Sequence, residues 1–579
     1  MQIPKWRYGL RNRRSSEINI RIFILSAVFI PTLFLAPFLT KAYHIDDTLF
    51  IRVAEHILTH PLDFYSFPVN WYGFEMPMYE VNQNPPLVSY FIAFASLFGG
   101  WGEFSIHLAF LLPALALSTG TYVLARSFCS TPWLAVLALV LTPVFMVSGT
   151  NIMTDTTMLA LFVWAVFFWI KGVDENRNIF LFTAGILAAL SALAKYFGIS
   201  SVPLLLVYTF LVRKKFDSRI LFLLIPLVLL AGYQLWTQFM YGQGMLSNAM
   251  AYAAGSKPFG LEPLLDRLVL GLTFTGGCLI TISFFLPFLF PLKKWMIFFA
   301  LFLPIMGFLA FGTDSIRVFH LPQEPGLSWG AWVQFSIMIL SGVGIFVLVW
   351  SDLRQNRDEK SWLLFLWFFG TFCFATFVNW TTNARTIYPM APCMGIILAR
   401  FVEKNSIHLN VHMTKIVSAS LIAGAIVSLS VAWADFSLAN CQRTAAGLFR
   451  SQLKGYPHTV WFQGHWGFQY YMEHHGMRPI DFQKTTFQQG DILIVPMNNT
   501  NIKIPKKNIF HYVQTLEVRP FPWLGTMQKS TGAGFYSDVW GPLPYVIANV
   551  PPEAYQIFLV GKFADAKEAI RVLRERTGL

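Results

Sequence analysis

Charge is scarce in this chain. Asp, Glu, Lys and Arg make up 13% of its 579 residues, about half the share of an ordinary soluble protein, so a string of soluble domains is excluded. Cysteine is sparse too. The five present (Cys129, Cys278, Cys373, Cys393 and Cys441) form no CxxC pair, and four lie in apolar runs. Neither a disulfide framework nor a zinc site is implied. His465, His474 and His475 fit no zinc spacing either. The chain lacks GxGxxG and Walker sequences, which removes the usual nucleotide-binding units, and it shows no internal repeat. What remains is apolar: 55% of residues are hydrophobic and 17% aromatic. Apolar stretches of span length recur from Ile22 to about Ala434, the pattern of a polytopic helical membrane protein.

The net charge of +13 suggests nucleic acid at first sight. The basic residues, however, collect in short loops between apolar runs, where they set topology; nucleic acid is not an expected partner. Lys5, Arg7, Arg11, Arg13, Arg14 and Arg21 put residues 1–21 in the cytoplasm. No small-residue cleavage site follows Leu39, so an uncleaved first span is expected. The stretch Pro85–Phe98 is short for a crossing and suits an interfacial or re-entrant helix. With that stretch on the outer face, Arg126, Arg213-Lys214-Lys215, Lys293-Lys294 and Arg400 all fall inside. This assignment predicts about thirteen spans over 22–434, an external first loop at 41–103 and an external C-terminus. The expected location is a bacterial inner membrane. Residues 435–579 alternate strand-like runs (Thr459–Phe462, Asp491–Val495, Ile557–Val560) with Gly/Pro turns and a final charged helix, Ala564–Arg576. They read as a small extracytoplasmic α/β domain. The fold class is therefore an all-α polytopic membrane bundle with a small α/β tail.

On this topology several polar residues share one membrane face. Asp46 and Asp47 follow the first apolar run, and Arg52, Glu55 and His56 continue from them at helical spacing. Asp155, in Asn151-Ile-Met-Thr-Asp155-Thr, opens an inward span. Lys195-Tyr196 ends an apolar helix. Arg385 and Tyr388 begin another, in Asn383-Ala-Arg-Thr-Ile-Tyr-Pro. Charge at the edge of hydrocarbon is costly and marks a functional site by default. Acids and bases together suit a hydroxyl nucleophile and a phosphate leaving group: a carboxylate takes the proton, and cations neutralise the departing charge. Each residue also has a plainer reading. Asp46, Asp47 and Asp155 stand where helix caps stand. Lys195 and Arg385 stand where long side chains snorkel from helix ends, although Pro389 and Pro392 point to a shaped loop after Arg385.

The motifs resemble those of a family. Asp46-Asp47 is similar to the acidic pair in the first external loop of the GT-C membrane glycosyltransferases. The likeness is to glycosyltransferase family 39, with the protein O-mannosyltransferases and the lipid A aminoarabinose transferase. Asn84-Pro85-Pro86-Leu87 resembles that family's HPPL segment, with Asn in place of His. Thr154-Asp155-Thr156 resembles its second acidic motif, and Ala194-Lys195-Tyr196 its Lys-containing helix end. Arg385-Thr-Ile-Tyr388-Pro389-Met-Ala-Pro392 resembles its RYxLPxxP segment, with the Tyr displaced. The likeness covers roughly residues 20–435 and leaves the tail without a counterpart.

The resemblance implies a GT-C-like bundle and a polyprenyl-phosphate sugar donor that enters sideways from the bilayer. It further implies a lipid, glycan or protein acceptor, transfer with inversion, and no metal or cofactor. Asp46 is then the base, Asp47 orients the acceptor or exchanges roles with it, and Asp155 supports the pair. Lys195 and Arg385 stabilise the leaving phosphate, and Tyr196, Tyr388, Arg52 and Asn84 complete the substrate site. Two other classes stay open on the residues alone. A secondary transporter would place ionisable groups at the midplane, often in paired broken helices, whereas here the charges sit at helix ends. A scaffold that binds through its external domain would need none of the acids and bases.

Overall fold

The computed structural model describes residues 20–215, 218–255, 261–289, 329–409, 412–506, 508–562 and 565–578. Among them eight helices are long and apolar enough to cross a membrane, from Ile20–Phe38 to Met413–Gln452. The pair Leu264–Cys278 and Ile280–Phe288, bent by 79°, makes a ninth if taken as one span. Part of the thirteen-span expectation falls on 290–328, outside the described residues. Other apolar segments fold as helices outside that set: Asn178–Ala194, Pro132–Val140 with Pro143–Ser148, and Ala391–Leu409. Prolines at their first turns start two of these, where a missing N–H costs nothing. Small residues let spans approach closely. A Cβ at Gly276 would collide with the Met338 carbonyl, and one at Gly342 with the Leu272 carbonyl, so those two helices meet backbone to backbone.

The first loop is a folded unit. It runs through the helix Asp47–Thr59, the hairpin Pro68–Asn70/Glu75–Pro77 and the helix Leu87–Gly99. That last helix has 13 residues, too few for a simple crossing. It leaves Phe94, Leu97 and Phe98 exposed, as an interfacial helix does.

The tail holds a five-stranded mixed sheet in the order Arg478–Pro479, Val460–Phe462, Ile492–Pro496, Glu553–Val560, Phe510–Val518. The first three strands are parallel and the last two antiparallel to their neighbours. Ile492–Pro496 is buried throughout, which is why a continuous apolar run serves as the central strand. The closing helix, Ala566–Thr577, is capped by Asp565, whose carboxylate accepts from Lys567 N and Glu568 N.

Tail and first loop are tied together. Asn70 Nδ2 donates to Ile480 O (2.8 Å), Phe482 N to Gly73 O (2.7 Å), and Arg52 pairs with Glu473. The helix His412–Gln452 runs for 41 residues without a break. It passes straight through position 435, where the sequence suggests a boundary between membrane bundle and tail.

Candidate active site

Asp46 stands at the N-cap of the helix Asp47–Thr59, yet its side chain makes no cap bond. Its Oδ2 instead meets Arg385 Nη2 at 3.1 Å. Ile45, just before it, has φ of +50°, a conformation that strains a β-branched residue and is held only by tight surroundings. That kink turns the chain so that Asp46 faces the bundle mouth with 31% of its side chain exposed.

Asp47 points the other way. It is fully buried, and its two carboxylate oxygens accept from His44 N (3.0 Å) and Ile152 N (3.2 Å). Burial pushes its carboxyl up to about 7, against the pull of the nearby Lys41 ammonium and the two amides. Asp47 therefore clamps the first loop to the loop around Ile152 and leaves Asp46 as the accessible acid.

Arg385 follows a capping box: Asn383 Oδ1 accepts from Thr386 N at 3.0 Å, and the Thr386 hydroxyl is reached from Asn383 N. Pro389 then tightens the chain into a 3₁₀ turn, Tyr388–Met390, before the helix Ala391–Leu409. This shaped start fixes Arg385 at the site. Its Nη1 lies 2.8 Å from Met153 Sδ, two residues before Asp155, and the Asp155 charge acts on the guanidinium.

Asp155 opens the span Thr154–Glu175 without capping it. Its Oδ1 takes the Lys195 ammonium at 2.5 Å, with Asp155 only 2% exposed. Lys195 thus turns inward from the end of its helix and does not snorkel toward solvent. The result is a compact set of two carboxylates and two cations, with Asp46 its most exposed member. Tyr388 is buried one turn beyond Arg385, edge-on to Phe145. Tyr196 lies beside Tyr233 (ring centres 6.4 Å apart) in an aromatic group with Tyr65 and Tyr241.

Two expected substrate contacts are engaged elsewhere. Arg52 is paired with Glu473 of the tail, because six residues of helix separate it from Asp46 and rotate it to another face. Asn84 bonds through its amide to Asn82 Oδ1 (3.2 Å), and its carbonyl accepts from the Tyr65 hydroxyl. It shapes the entry to the helix Leu87–Gly99. Among the described residues no group of His, Cys, Asp or Glu is arranged to hold a metal ion.

A second polar cluster lies beneath the first. Lys41 Nζ meets Asp435 Oδ2 and Asn151 Oδ1, each at 2.5 Å, with both ends of the ion pair fully buried. The Tyr536 hydroxyl donates to Asp435 Oδ2 (2.8 Å), and Thr526 Oγ1 to Oδ1 (3.1 Å). His44 Nε2 lies 3.9 Å from the same carboxylate. Burial holds His44 down to about 4, with Asp435 opposing and Lys41 adding to the shift, so the ring is neutral at pH 7. Sequence reasoning passed over this cluster. Lys41 and Asp435 do carry a signal, each being the first charge after an apolar run. Tyr536 carries none.

Comparison with known proteins agrees with the sequence motifs. Residues 83–236 match the profile of the family described as dolichyl-phosphate-mannose-protein mannosyltransferase. The matched stretch contains Asn84-Pro85-Pro86-Leu87, Thr154-Asp155-Thr156 and Ala194-Lys195-Tyr196. The family resemblance is borne out. No curated protein sequence matches the chain. Among solved structures, the apo oligosaccharyltransferase of Archaeoglobus fulgidus is 12% identical with a TM-score of 0.49, over 81% of this chain and 65% of that one. This chain thus spans about two thirds of the archaeal enzyme's length. ArnT from Cupriavidus metallidurans is 12% identical in its apo state, with a TM-score of 0.46 over 83% of this chain and 94% of that one. Its complex with undecaprenyl phosphate is 13% identical with a TM-score of 0.45 over the same shares. The chain is a multi-pass membrane protein with the sequence marks of a glycosyltransferase.

Proposed function

We propose that this protein is an inverting glycosyltransferase that moves a sugar from a polyprenyl-phosphate donor to an acceptor hydroxyl or phosphate on the extracytoplasmic membrane face. The observation that carries the reading is the Asp46–Arg385 pair beside the Asp155–Lys195 pair, with Asp46 alone among the three acids open to a substrate. At rest the four charges neutralise one another. A donor phosphate entering between Lys195 and Arg385 takes over the guanidinium N–H donors from Asp46 and leaves that carboxylate free to act as a base. The acceptor oxygen then attacks the anomeric carbon as the carbon–oxygen bond to phosphate breaks. The polyprenyl phosphate departs with the electron pair; the proton of a hydroxyl acceptor passes to Asp46, whereas a phosphate oxyanion attacks without giving one up. Asp155 holds Lys195, and Asp47 fixes the loop that presents Asp46. Tyr196 lines the approach, and the buried Tyr388 backs the turn that carries Arg385.

Donor recognition has a direct test. Arg385→Ala is expected to weaken use of a polyprenyl-phosphate sugar by roughly ten- to a hundredfold, the usual loss of a charge-assisted contact of about 1.5–3 kcal/mol. Lys195→Ala should do the same but also strands Asp155, so the Lys195→Ala/Asp155→Ala double mutant is the informative control. The double mutant should recover thermal stability without recovering donor use. Wild-type KM for donor in that double mutant and in Arg385→Ala would remove both cations from the site.

Sidedness is tested by labelling intact cells in a cysteine-free background. A membrane-impermeant maleimide should reach Tyr72→Cys and Ile504→Cys, both exposed, and should not reach Lys214→Cys. Labelling of Lys214→Cys alone would invert the topology and place the acid–base set in the cytoplasm.

A further inference from the structure

The tail segment 533–540 is laid directly onto the loop that carries Arg385. Ala384 N donates to Phe535 O (2.9 Å), Asp538 N donates to Thr382 O (3.0 Å), and the hydroxyls of Thr381 and Ser537 lie 3.0 Å apart. These contacts bracket Tyr536 and deliver its ring to the Arg385 guanidinium, whose Cζ lies 5.9 Å from the ring centre. The far end of the ring is pinned. Its hydroxyl donates to Asp435 on the last span and accepts from Asn151 Nδ2 (2.9 Å), two residues before the Met153 that touches Arg385 from the other side.

We propose that Tyr536 is a positioning residue supplied by the tail domain: a fixed aromatic face that holds the Arg385 guanidinium in place for a phosphate group. The inference rests on the reading of Arg385 as a phosphate-binding residue. Besides Met153, Arg385 has two partners of different kinds. Asp46 is an ionic partner that a phosphate displaces. The Tyr536 ring attracts the cation without competing for its N–H donors, so it stays in contact when the ionic partner changes. Arg385 then keeps one position through both states, and a phosphate meets a guanidinium that is already oriented. The tail accordingly contributes to the acid–base site, as a side chain of the tail rests against one of its cations.

The test uses full-length protein in nanodiscs and measures the affinity for undecaprenyl phosphate alone, so that no acceptor or sugar is needed. Tyr536→Leu removes the ring face and is expected to weaken binding by about tenfold. Tyr536→Phe keeps the face and should stay within about threefold of wild type. Arg385→Ala/Tyr536→Leu should bind no more weakly than Arg385→Ala, because Tyr536 acts only through that residue. Independent, multiplying losses in the double mutant would overturn the proposal, as would equal losses in Tyr536→Phe and Tyr536→Leu. If Tyr536→Leu does not fold, Tyr536→Trp replaces it: retained binding supports the platform, and a loss that persists in the Arg385→Ala background overturns it. A wild-type protein that fails to bind undecaprenyl phosphate removes the donor reading itself, and this inference with it.

Discussion

Asp46→Asn is expected to keep the fold and lose the reaction. The side chain caps no helix, and Asn retains an oxygen facing Arg385, so the helix start has no reason to fray. Asn cannot accept a proton, and turnover should fall by about 10²–10⁴-fold, the range of general-base catalysis. Donor affinity should hold or rise, because the carboxylate that competes with phosphate for Arg385 is gone. Asp47→Asn should behave differently. It turns one of two backbone amides toward an NH₂ group, so its first signature is a lowered thermal midpoint. Transfer rate, donor affinity and melting, measured together, separate the two acids. If Asp47→Asn abolishes transfer at unchanged stability while Asp46→Asn is mild, the roles are exchanged. A double mutant that transfers sugar at the wild-type rate would reduce the pair to a structural feature of the loop.

The second large effect is on stability. Lys41→Met leaves Asp435 buried without its cation, and breaking a buried pair in this way costs about 3–5 kcal/mol. Asp435→Leu strands Lys41 and should cost as much. Combined as Lys41→Met/Asp435→Leu, the two changes remove both charges, and the double mutant should unfold at a higher temperature than either single one. Melting in one detergent or nanodisc system decides it. Single mutants that melt with the wild type would show that the pair is solvated in the protein and contributes nothing to holding first loop, last span and tail together.

The residues that proved easy to find in the sequence share one property: each is a charge at the edge of hydrocarbon. Asp46, Asp155, Lys195 and Arg385 stand out because the neighbouring runs are apolar, and the structure brings them together. The same rule picks out Lys41 and Asp435, which in the sequence mark only the start of the first loop and the start of the tail. Arg52 and Asn84 were harder, because helical spacing and a Pro-Pro motif say which segment a residue occupies but not which face it presents. Arg52 shares a helix with the Asp46 cap and still points at Glu473. Tyr536 was out of reach, as its role depends on a tail segment hydrogen-bonding to a loop about 150 residues earlier, a non-local pairing without a periodic trace. The α/β character of the tail was visible from its alternating strands. The parallel pairing of Val460–Phe462 with two neighbours was not, since only the antiparallel hairpin leaves a short turn signal.

The unbroken helix His412–Gln452 has a consequence for how such a protein can change over time. Its 41 residues make a rod of roughly 60 Å, about twice the thickness of a bilayer's hydrocarbon core. A rod of that length gives bundle and tail no joint at which to part. Shuffling a different C-terminal domain onto this membrane core would cut the rod near Asp435 and disturb the loops on both sides of the acid pair. Diversification is therefore channelled into the tail's outer face, around the edge strand Phe510–Val518 and the closing helix. The inner face, which carries Tyr536 and Thr526, has to change in step with the membrane bundle or not at all.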